Sequence, residues 1–267
     1  MPIGSAVTNY LLYQLSVKII DLKIKSHQNR YGDKLPLMIK QLVLISFIIL
    51  LSANAKAQSW SDAEFRLANT AANATYLTNE EKNIIMYMNL IRIDGERFYY
   101  TFLNDYISNY NSKVSKYRNY NQLRIAPNNT YYLSLSKQLK GLKNLPLFYP
   151  DEKLSILSRN HAQDLSKNDL NTHESSNGIS FAKRIAKYFP SQAKSENIDF
   201  GYANSLDIVC HLLLDCGVPS LGHRLNILDQ KNKFNIVGVS VQRHPSYTWC
   251  AVIDFVSQPV YYTNNQR

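Results

Sequence analysis

Two imidazoles and two carboxylates stand out among the residues between positions 173 and 223: His173, Glu196, Asp215 and His223. A neutral imidazole offers one lone pair and a carboxylate offers two oxygens. The four groups together suit Zn²⁺ or another divalent metal, with room left for a water. Without metal, the same groups form a proton-sharing hydrogen-bond network. They sit on separate segments, Thr172-His173-Glu174, Ser195-Glu196-Asn197-Ile198 and the run from Leu214 to Leu228, so spacing alone does not choose between these chemistries.

Other chemistries are signalled less well. His173-Glu174 begins like the zincin helix motif, but position 177 is Asn, and no Gly-x-Ser-x-Gly elbow exists. Ser220 precedes His223 by three residues, yet a turn serine explains it better than a Ser/His/Glu triad. Cys210 and His211 are helix neighbours and face different ways, so adjacency does not make them a dyad. Gly222 allows close backbone approach, while Arg224, Asn226 and Asn197 carry the donors to tie loop carbonyls together.

The elements that must position these groups are legible in part. Thr78-Asn79-Glu80-Glu81 is a capping box that opens a helix with Ile84, Ile85, Met88 and Ile91 on one side, stopped at Asp94-Gly95. Residues 99–129, rich in Tyr, Asn and Ser, read as an irregular insertion with a short helix near Phe102 to Ile107. Its tyrosines are expected to pack under a long loop rather than to contact sugar or lipid. Tyr132 to Leu142 reads as helix, and Asp151-Glu152 opens an amphipathic helix bearing Leu154, Leu157, His161 and Leu165. That spacing turns His161 inward as a satisfied core histidine. A short helix from Phe181 to Tyr188, a strand near Ser195 to Phe200 and a buried helix with Leu206, Val209, Leu213 and Cys216 follow. Asn235 to Gln242 and Trp249 to Gln258 alternate with period two and form a β-hairpin. Helices first and strands last, without βαβ alternation, predict an α+β sandwich.

Bulk properties narrow the function classes. The 45% hydrophobic and 19% charged content is that of a folded chain. The net charge of +10 is unevenly spread. Seven Lys/Arg against two Asp/Glu lie in residues 1–57, so the remainder carries +5. No dense basic run marks a phosphate-tracking groove, which argues against nucleic-acid binding. Lys40, the apolar run Gln41 to Leu51 and Ala55-Lys56-Ala57 make the three parts of a secretory signal peptide, with cleavage after Ala57. Met38 is then the expected start, with residues 1–37 a spurious upstream extension, 38–57 the signal and 58–77 an exposed leader. The apolar run is too short to span a bilayer, so no transmembrane segment is expected in the mature form. Of three cysteines, Cys216 in a turn and Cys250 in a strand are the expected pair.

Taken together, these pieces resemble the CAP superfamily of cysteine-rich secretory, antigen 5 and pathogenesis-related 1 proteins, in its bacterial SCP-like form. The matching residues are Asn160-His161-Ala162-Gln163-Asp164, His173, Glu196-Asn197-Ile198, the run Gly222 to Leu228, Val237-Gly238-Val239, and Trp249 through Asp254-Phe255, with Thr78 to Arg92 similar to the first helix. The resemblance implies one domain over 78–260, an α-β-α sandwich with a central cleft, and an extracytoplasmic setting. It also implies that His173, Glu196 and His223 line that cleft with Asp215 and hold a divalent metal. Asp215 stands where many members carry Glu, which draws that corner back by one methylene. Three functions compete. The first is a non-enzymatic module binding a small apolar or lipid-like ligand or a surface partner. The others are a metal-dependent hydrolase of peptides or esters, with Glu196 as general base, and a structural envelope protein.

Overall fold

The computed structural model describes residues 59–258. The signal-peptide and upstream-extension expectations fall outside that range.

Helix α1 (Asp62–Ala68) starts at a capping box between Ser61 and Glu64, and α2 (Asn79–Ile93) at the expected one between Thr78 and Glu81. Between them, Ala68 and Ala71 are fully buried and Leu77 nearly so. The stretch 58–77 is therefore not an exposed leader over its second half. Alanine methyls let this turn lie close against α2, and Asn89 of α2 locks it by donating to the Ala68 carbonyl and to Thr70 Oγ1.

The stretch 99–129 is not irregular either. After α3 (Gly95–Phe98) it forms a π-helical turn (Tyr99–Leu103), α4 (Asn104–Val114) and α5 (Tyr120–Leu123). Tyrosine and phenylalanine rings supply much of its core contact. Phe102 meets Trp60, Phe65, Tyr87 and Phe98, and buried Tyr106 stacks on Tyr110. The expected packing role of the tyrosines holds for these rings, whereas Tyr100 and Tyr117 are about half exposed, at 52% and 51%. Helix α6 (Thr130–Leu139) follows, capped by Asn129.

The C-terminal half builds the sandwich. Its elements are β1 (Tyr149–Pro150), α7 (Glu152–Asn168), α8 (Phe181–Ala186), β2 (Lys194–Phe200), α9 (Ser205–Leu214), α10 (Gly222–Ile227), β3 (Ile236–His244) and β4 (Thr248–Val256). The sheet runs β1-β3-β4-β2; β1 is parallel to β3, and the other pairs are antiparallel. Successive side chains of a strand leave on opposite faces, and β4 shows it. Cys250 and Val252 pack with Ala162 and Leu165 of α7. Ala251, Ile253 and Phe255 join the larger core with Ile84, Met88, Val209 and Leu213 from α2 and α9. The α-β-α sandwich is therefore present, with α7 on one face and α2 and α9 on the other.

The same alternation corrects the cysteine pairing. Cys250 points into the α7 layer, whereas Cys216 follows α9 across the sheet and is exposed; all three cysteines are free thiols.

Candidate functional site

The four expected residues resolve into two histidine–carboxylate pairs. Glu196 leaves β2 toward α7. Its Oε1 lies 2.8 Å from His173 Nδ1, and its Oε2 accepts from Arg184 of α8 at 2.5 Å. An ionised carboxylate only accepts, so in the neutral tautomer of His173 that fits this contact Nδ1 carries the proton and Nε2 the lone pair. The glutamate side chain is 1% exposed and the His173 ring 51%, so a buried anion orients a solvent-facing imidazole. Arg184 also binds the carbonyls of His173 and Ile179 and the hydroxyl of Ser175, which fixes the loop that carries the ring.

The second pair lies on the other face. Asp215 takes a left-handed backbone at the end of α9, with φ of 55°. Its Oδ2 accepts the backbone N–H groups of His223 and Arg224, capping α10, and its Oδ1 takes His223 Nδ1 at 2.8 Å. The shorter acid thus reaches its histidine directly. The scaffold roles expected for the neighbouring polar residues are met. Arg224 donates to the carbonyls of Leu213, Leu214 and Tyr131. Asn197 donates to the His223 carbonyl and accepts from Asn226. Glu196 and Asn197 are consecutive on β2, so they project from opposite faces of this edge strand. The two pairs consequently flank the strand, and Glu196 contacts His173 and not His223.

Whether a four-ligand metal centre fits is decided by the donors. Each oxygen of Glu196 and of Asp215 already accepts from an N–H, and the Arg184 guanidinium stands beside Glu196 where a cation would bind. No group of three or more His, Cys, Asp or Glu among the described residues is arranged to hold a metal ion. The residues do not fit a four-ligand site. The carboxylates instead act on the imidazoles as orienting acceptors, the role such groups play behind a ligand.

Several participants were not assigned to the site from the sequence. His161 is buried on α7 as expected, but it is not a satisfied core residue: Nε2 lies 3.3 Å from the Thr172 carbonyl and 4.0 Å from Glu196, while Nδ1 has no partner. Burial lowers its pKa, only partly opposed by Glu196. Asp254 of β4 is the cross-strand neighbour of Glu196 and accepts from Ser158 of α7 at 2.7 Å. On the opposite face, His211 of α9 pairs through Nδ1 with Asp199 of β2 at 2.5 Å, a third pair of the same design. Burial lowers the His211 pKa but the Asp199 carboxylate outweighs it and the net shift is upward.

Two carboxylates in this cluster titrate in opposite directions. Burial pushes Glu196 up, but His173, Arg184 and His161 outweigh it and hold the group below the ordinary carboxylate range. Burial and then the Glu196 charge push Asp254 well above that range. The fold therefore favours the protonated form of Asp254 more than the unfolded chain does, and folding favours proton uptake there. Its contribution is full below about pH 4 and is lost as pH rises toward the folded pKa. Asp254→Asn keeps the acceptor for Ser158 and removes the titration. Urea unfolding should show a flatter dependence of stability on pH than wild type above about pH 4. An unchanged slope would mean that folding does not raise the Asp254 pKa.

The model of the cysteine-rich secretory protein (CAP) family matches residues 114–255, more than half of the sequence, and the chain belongs to that family. Two solved structures are similar. An outer surface protein from Borrelia burgdorferi is 22% identical with a TM-score of 0.37, over 48% of this chain and 90% of that one. An extracellular protein containing a SCP domain from Bacillus anthracis str. Ames is 20% identical with a TM-score of 0.36, over 48% of this chain and 39% of that one. No curated protein matches the chain. Among the described residues no helix is long and apolar enough to cross a membrane.

Proposed function

We propose that this chain is an extracytoplasmic, non-enzymatic binding module of the CAP family, in which His173 and His223 present oriented Nε2 atoms to a small apolar or lipid-like ligand or a surface partner. The observation that carries the non-enzymatic part is the state of Glu196. A general base needs a free oxygen and a pKa near the working pH. Glu196 has both oxygens engaged and is held acidic by His173 and Arg184. The hydrolase alternative asks this residue to activate water, which its contacts oppose. The extracytoplasmic part rests on the signal-peptide pattern of residues 38–57.

The test is turnover by the purified protein on a panel of peptides and esters, with and without added Zn²⁺, beside Glu196→Gln and His223→Ala. No turnover above the uncatalysed rate is expected from any of them. Zinc-dependent turnover abolished by Glu196→Gln, in a variant that unfolds at the wild-type temperature, would establish the hydrolase instead. Sequencing of the exported chain should begin at Gln58, and an N-terminus upstream of Met38 would overturn the export signal.

A further inference from the structure

From Tyr106 to Pro150 the chain has seven Lys and Arg and no Asp or Glu. Four of the seven, Lys113, Lys116, Arg118 and Arg124, lie from the last turn of α4 to the residue after α5, on a connection with a built base. Asn111 clamps Ile125 from both sides, its Nδ2 donating to the Ile125 carbonyl and its Oδ1 accepting the Ile125 N–H at 2.8 Å. Val114 and Ile125 anchor it in the core. Between them, residues 115–119 and 121–124 are exposed and Tyr120 half-buried. The ends are thus tied to the core while the side chains stand outward, an arrangement loops use for recognition.

The charges on this loop are unbalanced. Lys113 has a distant partner in Asp207 at 3.5 Å, but Lys116, Arg118 and Arg124 have no carboxylate at ion-pair distance among the described residues. Lys116 lies 5.3 Å from the Tyr117 ring and Arg124 5.6 Å from the Tyr120 ring. Asn119, Asn121 and Gln122 fill the intervening positions with amides.

We propose that this loop, residues 112–124, is a binding surface for an acidic polysaccharide, at a place separate from the histidine pairs and independent of their role. The cations match carboxylates or other anions on the polymer, and Arg presents a fork suited to them. Tyrosine faces pack on the C–H faces of sugar rings while their hydroxyls and the amides meet sugar hydroxyls. A bilayer is the poorer partner, because Leu123, 36% exposed, is the loop's one exposed aliphatic side chain.

Polygalacturonate, neutral dextran, polyglutamate and phosphatidylglycerol vesicles are the probes, titrated into the purified protein by calorimetry. Polygalacturonate should bind, more weakly at about 0.15 M salt where exposed charges are screened, and dextran should not. The triple change Lys116→Gln, Arg118→Gln, Arg124→Gln should weaken binding about tenfold, since each exposed contact adds little alone. Tyr117→Ser should weaken it several-fold while leaving the salt dependence as in wild type. All four positions are exposed, and circular dichroism should show an unaltered fold. Equal affinity for polyglutamate would reduce the surface to bare charge and overturn the proposal. So would undiminished binding by the triple variant, or vesicle binding without polygalacturonate binding.

Discussion

Arg184→Ala should destabilise the protein by about 3 kcal/mol at neutral pH, the usual result of leaving a buried charge without its partner. The Arg184 side chain is 12% exposed and that of Glu196 1%, and they meet at 2.5 Å. With Arg184 gone, burial is opposed only by His173, half in water, and by His161, whose own burial disfavours its charge. The pH dependence separates this cause from lost packing. In wild type the folded pKa of Glu196 is depressed, so its contribution is present above the ordinary value near 4.3 and lost as pH falls through the folded value. In the variant the carboxyl moves up, and protonation relieves the cost. The stability gap, measured by urea unfolding, should be widest near neutrality and shrink toward about pH 4. A gap equal at both ends would assign the loss to the loop contacts of Arg184 with His173, Ser175 and Ile179. Arg184→Lys keeps the charge and drops most of those contacts, and should recover part of the loss.

Gly238→Ala should be as damaging, by about 3 kcal/mol or more, through overpacking alone. A Cβ at this position of β3 would stand 2.4 Å from the Leu154 carbonyl carbon, 2.6 Å from its oxygen and 2.6 Å from the Ser155 nitrogen. These are backbone atoms in the first turn of α7, and no rotamer moves them aside. The helix must lift from the sheet, and with it Ser158 and His161, which sit against Asp254 and Glu196. Thermal unfolding should show the loss directly. A change within a few tenths of a kcal/mol would mean that α7 slides along the sheet without cost, and that its seating on β3 does not position the Glu196 cluster.

Both effects arise from contacts between segments remote in sequence, which marks the limit of a sequence reading here. Local signals suffice wherever the determining interaction is local. The boxes at Thr78 and Ser61 differ in this respect: Thr78 opens a long periodic helix and is legible, whereas Ser61 opens a short one in an alanine-rich run and is not. The period-two runs of β3 and β4 announce the hairpin, and the four residues His173, Glu196, Asp215 and His223 stand out by type and motif. In 99–129 periodicity fails because buried tyrosines look polar in a binary pattern.

Residue type and local spacing determined the caps, the hairpin and the helix face that carries His161, and singled out His173, Glu196, Asp215 and His223 as candidates. Tertiary structure alone decided who pairs with whom: His173 with Glu196 and Arg184, His223 with Asp215, His211 with Asp199, and Cys250 with none. The physical reason is strand alternation at an edge. One residue's step along β2, from Glu196 to Asn197, moves a side chain through the sheet to a different helix layer, and only the packed layers say which partners wait there.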